Sequence, residues 1–236
     1  MKFTIACSLL AAANAFAPSK VAKTSTELNA LNGWTPDSKK FAYGLPGSLD
    51  PVRDFDPFGF AEKADLETMK TYREAETQHG RVAMLAVLGF LVTEEPIEYH
   101  PLFEAYNKDI GPSIRHLDEV RAVSPAFFEI LGLTIGLLEL NRAVYGWTAP
   151  GDVIGSGRTF KADYYPGDLG FDPLGLKPTT TEEFFEISTK ELQNGRLAML
   201  GAMGIIAQEL VNGKEIFVNL GLAPDRFDPS SVPVQF

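Results

Sequence analysis

Two stretches of this 236-residue chain align without a gap at an offset of 115 residues. The first is "ETQHGRVAMLAVLGFLVTE", Glu76 to Glu94, and the second "ELQNGRLAMLGAMGIIAQE", Glu191 to Glu209. Each opens with Glu-x-x-His/Asn-Gly-Arg and runs on as an apolar helix. The turns before them repeat too, since Phe55-Asp56-Pro57 with Gly59 matches Phe171-Asp172-Pro173 with Gly175. Duplication of a turn, a polar lead-in and a helix is the economical reading, and it obliges any fold to satisfy both copies at once.

A different apolar segment lies between the copies. It runs from Pro125, a suitable first-turn residue, to Val144, and Gly146 and Pro150 close it. The strictly apolar parts of the repeats, Val82 to Val92 and Leu197 to Val211, are shorter than the ~20 residues of a lipid-facing span. On hydropathy alone they read as core helices of an all-α domain. With their polar starts included, they reach about 28 to 32 Å at 1.5 Å per residue. Helices at about 75–94, 125–144 and 190–211 can therefore cross a bilayer, provided that every buried charge is paired or ligated.

The motif can meet that condition. Glu76 and His79 lie 60° apart on one helix face, as do Glu191 and Asn194, whereas each arginine is turned about 140° from its own glutamate. The paired solution is reciprocal: Glu76 with Arg196, and Glu191 with Arg81. Crossed pairs need a two-fold axis between the helices. One intervening span makes the first and third helices run the same way, so that axis lies along the membrane normal. Gly80 and Gly195, with Ala83, Ala198 and Gly201 nearby, permit close approach of the two backbones.

A carboxylate bonded to arginine through one oxygen keeps lone pairs on the other. The His79 ring and the Asn194 carbonyl offer one lone pair each. These four ligands are spread out, whereas a single magnesium ion wants grouped oxygens. They suit metals that bring their other ligands with them, as a magnesium porphyrin does. Carboxylate-bridged di-iron chemistry needs two Glu-x-x-His helices and two more glutamate helices, which this chain lacks. H-E-x-x-H and Walker-type loops are absent, and "GDVIGSG" reads as loop. His100 and His116 read as ordinary loop histidines.

Composition narrows the rest. A formal net charge of −10 argues against a nucleic-acid partner. The single cysteine, Cys7, argues against disulfides, zinc thiolate sites and thiol catalysis. It lies in "MKFTIACSLLAAANAFAPSK", which has the basic start, short apolar core and Ala-Asn-Ala cleavage site of a signal peptide over residues 1–15. The next stretch, 16–31, is hydroxylated and poor in acids, as a plastid transit peptide is. Together they are similar to the two-part import address of complex plastids in red-lineage algae. Residues 32–236 would form the mature domain.

"ETQHGRVAML" and "ELQNGRLAML", each preceded by a Phe-Asp-Pro turn, resemble the light-harvesting chlorophyll-binding protein superfamily. The resemblance covers about Phe55 to Leu210, and the address is similar to that of the branch of fucoxanthin–chlorophyll a/c-binding proteins. It implies an all-α membrane protein with three transmembrane helices. The first and third would cross about a pseudo-two-fold, and a short amphipathic helix would follow near "GKEIFVNL" (Gly213 to Leu220). It also implies that Glu76, His79, Glu191 and Asn194 ligate chlorophyll magnesium, with Arg196 and Arg81 holding the two glutamates. Gln208, 14 residues after Asn194, matches a further ligand. Glu139 with Arg142 resembles the middle-helix Glu-x-x-Arg of the family. Glu129 is one more candidate ligand, though its spacing of ten from Glu139 departs from the pattern. Asp56 and Asp172 would mark the loops that receive carotenoid ends.

The expected cofactors are chlorophyll a, chlorophyll c and carotenoids such as fucoxanthin. The expected partners are a photosystem I or II core, other antenna subunits and thylakoid lipid. The function implied is light harvesting without catalysis. A dissipating, photoprotective member of the same family and a small ion carrier are the alternatives.

Overall fold

The computed structural model describes residues 31–94, 97, 99–101, 111–149 and 160–225. The two-part address, apart from its last residue Leu31, therefore lies outside the described residues. Among these the chain is helical, with one isolated antiparallel bridge between Trp147 and Phe160. The helices are α1 (Phe60–Lys63), α2 (Leu66–Thr93), α3 (His116–Val123), α4 (Phe127–Gly146), α5 (Thr181–Asn212) and α6 (Ile216–Asn219).

Both repeat helices begin about nine residues before the expected spans, because capping residues precede the polar lead-ins. The Asp65 carboxylate accepts the Thr68 N–H at 2.9 Å, and the Thr180 hydroxyl accepts the Glu183 N–H at 3.4 Å. Such caps are each worth about 1 kcal/mol. At the other end of α5, Gly213 takes the left-handed conformation (φ 64°) that stops the helix. The C-terminal helix is confined to four residues within the expected stretch.

α2 and α5 pack against each other most closely at the paired glycines. A Cβ built on Gly80 would meet the Cα of Gly195 at 3.0 Å. Over the glutamate ends of the two helices folds a cluster of Trp34, Ala42, Leu45, Met69 and Tyr165. Trp34 and Tyr165 meet edge to face, and Asn32 Nδ2 donates to Asp168 Oδ2 at 2.8 Å.

α4 is different. Every position from Leu131 to Asn141 is exposed, all round the helix. A helix that is apolar on all sides is ordinarily covered by something, either protein or lipid. No single helix among the described residues is long and apolar enough to cross a membrane by length and hydropathy. α3 with the turn before it (Ser113–Val123) and α4 pass that test together, bent by 110°. The long connection after the first repeat is also less irregular than expected. His116 is the first residue of α3 rather than part of a loop, and its Nε2 lies 2.9 Å from the Gly111 carbonyl.

Candidate functional site

The crossed pairing is present. Arg196 Nε lies 2.7 Å from Glu76 Oε1, and Arg81 Nε lies 2.7 Å from Glu191 Oε1. The two pairs are not equivalent, however. Arg196 also donates through Nη1 to the Gly47 carbonyl at 2.7 Å, which Gln193 Nε2 shares at 3.2 Å. Glu76 faces a second guanidinium as well, with Arg73 Nε 3.5 Å from Oε2. Arg73 is buried and donates to the Pro46 carbonyl. Gly47 has φ +121°, and a Cβ there would fall 2.8 Å from Arg73 Nη1, so glycine alone lets this loop segment close over both arginines. Arg73 escaped the sequence reading because it sits in a polar lead-in that looks like solvated helix. Its signal, an arginine three residues before Glu76, is indistinguishable from a surface ion pair.

The neutral ligand candidates are oriented in matching ways. His79 Nδ1 lies 2.7 Å from the Ala75 carbonyl, so the ring donates through Nδ1 and turns the Nε2 lone pair outward. Asn194 Nδ2 donates to the Lys190 carbonyl at 2.9 Å, which leaves its Oδ1 outward. Each uses the carbonyl four residues earlier to present one acceptor away from the helix pair. Both residues are exposed, as are Glu129 and Glu139 on α4. Arg142 Nη2 holds Glu139 Oε2 at 2.8 Å. Gln208 is half-buried on α5, and its Nε2 has no hydrogen-bond partner among the described residues.

The two aspartates of the Phe-Asp-Pro turns are engaged locally. Asp56 accepts the N–H groups of Phe60 and Ala61 at 3.0 and 2.6 Å. Asp172 accepts those of Leu176 and Lys177 at 3.0 and 2.8 Å. The Lys177 and Leu176 amides hold the Asp172 carboxyl below its usual range. What the turns present outward is apolar: Phe55, Phe58, Phe171 and Leu174 are all largely exposed. Beside the Arg81–Glu191 pair lies a cavity of about 480 Å³, lined in part by Tyr165, Phe171, Lys177, Phe184 and Ile187. Burial pushes the Tyr165 hydroxyl up to about 12, so it stays protonated there.

The far ends of the two helices hold a second crossed arrangement, built from the last residue of each repeat. Glu94 accepts the Ile216 N–H at 2.9 Å through Oε2, and the Ser113 N–H and hydroxyl through Oε1. Glu209 Oε2 accepts the Ile114 N–H at 2.8 Å. The glutamate ending the first repeat thus caps the segment after the second, and conversely. Both carboxylates are fully buried, as is Glu119, and Glu215 is nearly so.

These features fit a metal that arrives already chelated. Single lone pairs face outward from rigid helices, their charges are compensated behind them, and wide apolar surface surrounds them. Among the described residues, no cluster of three or more His, Cys, Asp or Glu could hold a bare ion. The fold and the site define a helical scaffold for bulky macrocyclic cofactors. A family model described as chlorophyll A-B binding protein matches residues 41–210. The chain is 44% identical over 196 residues to light-harvesting complex stress-related protein 3.2 of Chlamydomonas reinhardtii, spanning 81% of this chain and 72% of that protein. It is 44% identical over 175 residues to a fucoxanthin-chlorophyll a-c binding protein of Isochrysis galbana, spanning 74% and 80%. Chlorophyll a-b binding protein 4 of Arabidopsis thaliana is 35% identical over 210 residues, spanning 84% and 76%. The chain belongs to the chlorophyll-binding family of light-harvesting proteins.

Proposed function

We propose that this protein spans the thylakoid membrane of a plastid through α2, α4 and α5 and holds chlorophyll a, chlorophyll c and a fucoxanthin-type carotenoid as an antenna. The observation that carries the reading is the crossed Glu–Arg geometry with the outward lone pairs of His79 and Asn194. Glu76, His79, Glu191, Asn194, Glu139 and Gln208 are the magnesium ligands, with Glu129 a further candidate at the start of α4. Arg196, Arg81 and Arg142 neutralise the three glutamates. The exposed phenylalanines of the Phe-Asp-Pro turns receive carotenoid ends, and Asp56 and Asp172 shape those turns. The bound pigments supply light absorption and pass excitation to a photosystem core or a neighbouring antenna subunit; the protein catalyses no reaction. Its own work is to fix where each pigment sits, which is why the ligands stand on long helices. The all-round exposure of α4 supports burial in pigment and lipid. Residues 1–15 and 16–31 serve as the two-part address and are removed.

Refolding the mature chain with pigment extract tests this. The expected result is a complex absorbing in the red that loses one chlorophyll in Glu191→Leu. A chain that folds and stays colourless would point to the ion carrier instead.

A second reading, energy dissipation, is favoured by the buried acids at the far end, where Glu94 and Glu209 accept backbone N–H groups out of contact with solvent. Shortening of the chlorophyll fluorescence lifetime between neutral and acid pH supports dissipation, and an unchanged lifetime leaves the antenna.

A further inference from the structure

We infer that Glu74 is a positioning residue that sets the pigment-binding oxygen of Glu139 from a different helix. This rests on the reading of Glu139 as a chlorophyll ligand. Glu74 lies two residues before Glu76, which turns it about 200° away from the crossed pairs. It is 3% exposed. Its Oε2 accepts the Tyr164 hydroxyl at 2.9 Å and the Gly167 N–H at 2.6 Å, while Oε1 faces Arg142 Nη1 at 3.1 Å. The other end of the same guanidinium, Nη2, holds Glu139 Oε2 at 2.8 Å. One arginine therefore bridges a buried carboxylate on α2 and an exposed one on α4.

The two halves of that bridge differ in strength. A buried carboxylate cannot give up its cation without leaving an uncompensated charge, so Glu74 holds Arg142 firmly. Glu139 is half exposed, and a Glu–Arg pair three residues apart on one helix orients one side chain only when the other is already held from elsewhere. Hence Glu74 fixes Arg142, and Arg142 fixes Glu139, whose Oε1 takes no hydrogen bond among the described residues. The same region ties down the end of α4. Lys161 Nζ donates to the Val144 and Tyr145 carbonyls at 2.8 and 3.0 Å. A Cβ on Gly146 would strike the Tyr164 ring at 2.9 Å. Since α4 is exposed all round from Leu131 to Asn141, this polar attachment, not packing, sets its rotation and so the direction of Glu139. Burial and the neighbouring Glu74 raise the Tyr164 hydroxyl well above its ordinary value, so it remains a donor to Glu74.

The test compares Glu74→Gln, Tyr164→Phe and Glu139→Leu in the full chain refolded with chlorophylls and carotenoid. Chlorophyll per chain, the difference absorption spectrum and thermal stability are read for each. We expect Glu74→Gln to lose one chlorophyll per chain and to show the same missing absorption band as Glu139→Leu, with the Glu76 and Glu191 pigments retained. Tyr164→Phe keeps the Glu74–Arg142 pair and should keep the full complement. A full complement in Glu74→Gln beside a loss in Glu139→Leu overturns the inference. So does a general loss of pigment and stability shared equally by Glu74→Gln and Tyr164→Phe, which would mean that Glu74 only supports the fold. If Glu139→Leu itself keeps every pigment, the ligand reading falls first and takes the inference with it.

Discussion

The Gly80 and Gly195 backbones touch: a Cβ on Gly195 would lie 2.9 Å from the Gly80 Cα. Because the obstacle is backbone, no change of rotamer relieves it. Gly195→Leu should force the helices apart at the level of both ion pairs, at a cost of about 1–3 kcal/mol from overpacking alone. We expect the variant to lose the pigments proposed on Glu76 and Glu191 together and to melt earlier. Pigment content and thermal denaturation check this; a wild-type complement in the variant would show that contact here is dispensable.

The crossed pairs predict which pigment follows which arginine. Arg196→Leu should release the pigment on Glu76, and Arg81→Leu the one on Glu191. The losses should be unequal, because Arg73 still faces Glu76 at 3.5 Å whereas Glu191 has no second arginine among the described ion pairs. The pairs are about one-third exposed, so we expect a stability cost of about 1–3 kcal/mol for Arg81→Leu. Difference spectra of the two variants decide it. If each mutant lost the pigment on its own helix, the two-fold relationship would be wrong.

His79 and Asn194 use the same device, an N–H bonded to the carbonyl one turn back and a lone pair directed outward. His79→Asn should therefore keep the chlorophyll proposed at this position, while His79→Phe should lose it. Chlorophyll counted per chain after refolding gives the answer. Equal loss in both variants would mean that the imidazole has a role beyond donating one lone pair.

Burial holds His116 below its ordinary value of 6.5, against the opposing effects of the Gly111 carbonyl and Glu94. The unfolded chain then takes up the proton first, so the His116 contribution is complete above about pH 6.5 and declines as pH falls. Each pH unit in that window removes at most about 1.4 kcal/mol. The stability advantage of the wild type over His116→Gln should shrink between about pH 7.5 and 5.5. Melting temperatures measured in parallel test this, and a constant difference would place His116 in contact with water.

The crossed pairs were legible in the sequence because helical geometry leaves each arginine pointing away from its own glutamate. No knowledge of the loops was needed. The helix starts were not legible, since Asp65 and Thr180 act through caps and the residues after them look like solvated polar helix. Glu74 and Arg73 were missed for a related reason. Their burial comes from segments 34–47 and 160–170 folding over them, and periodicity within the helix carries no trace of that. Glu94 and Glu209 were visible as the last letters of the repeat. Apart from the Ser113 hydroxyl, their partners are main-chain amides, which have no sequence signature.

That last difference governs how each end of the molecule can change. At the arginine end, recognition runs between side chains, so losing one member strands its partner on the other helix. At the far end the donors are the N–H groups of Ile114 and Ile216, which any residue except proline would supply. Ser113 aside, whose hydroxyl also reaches Glu94, the loops there are free to vary in composition while still closing each half of the protein onto the other.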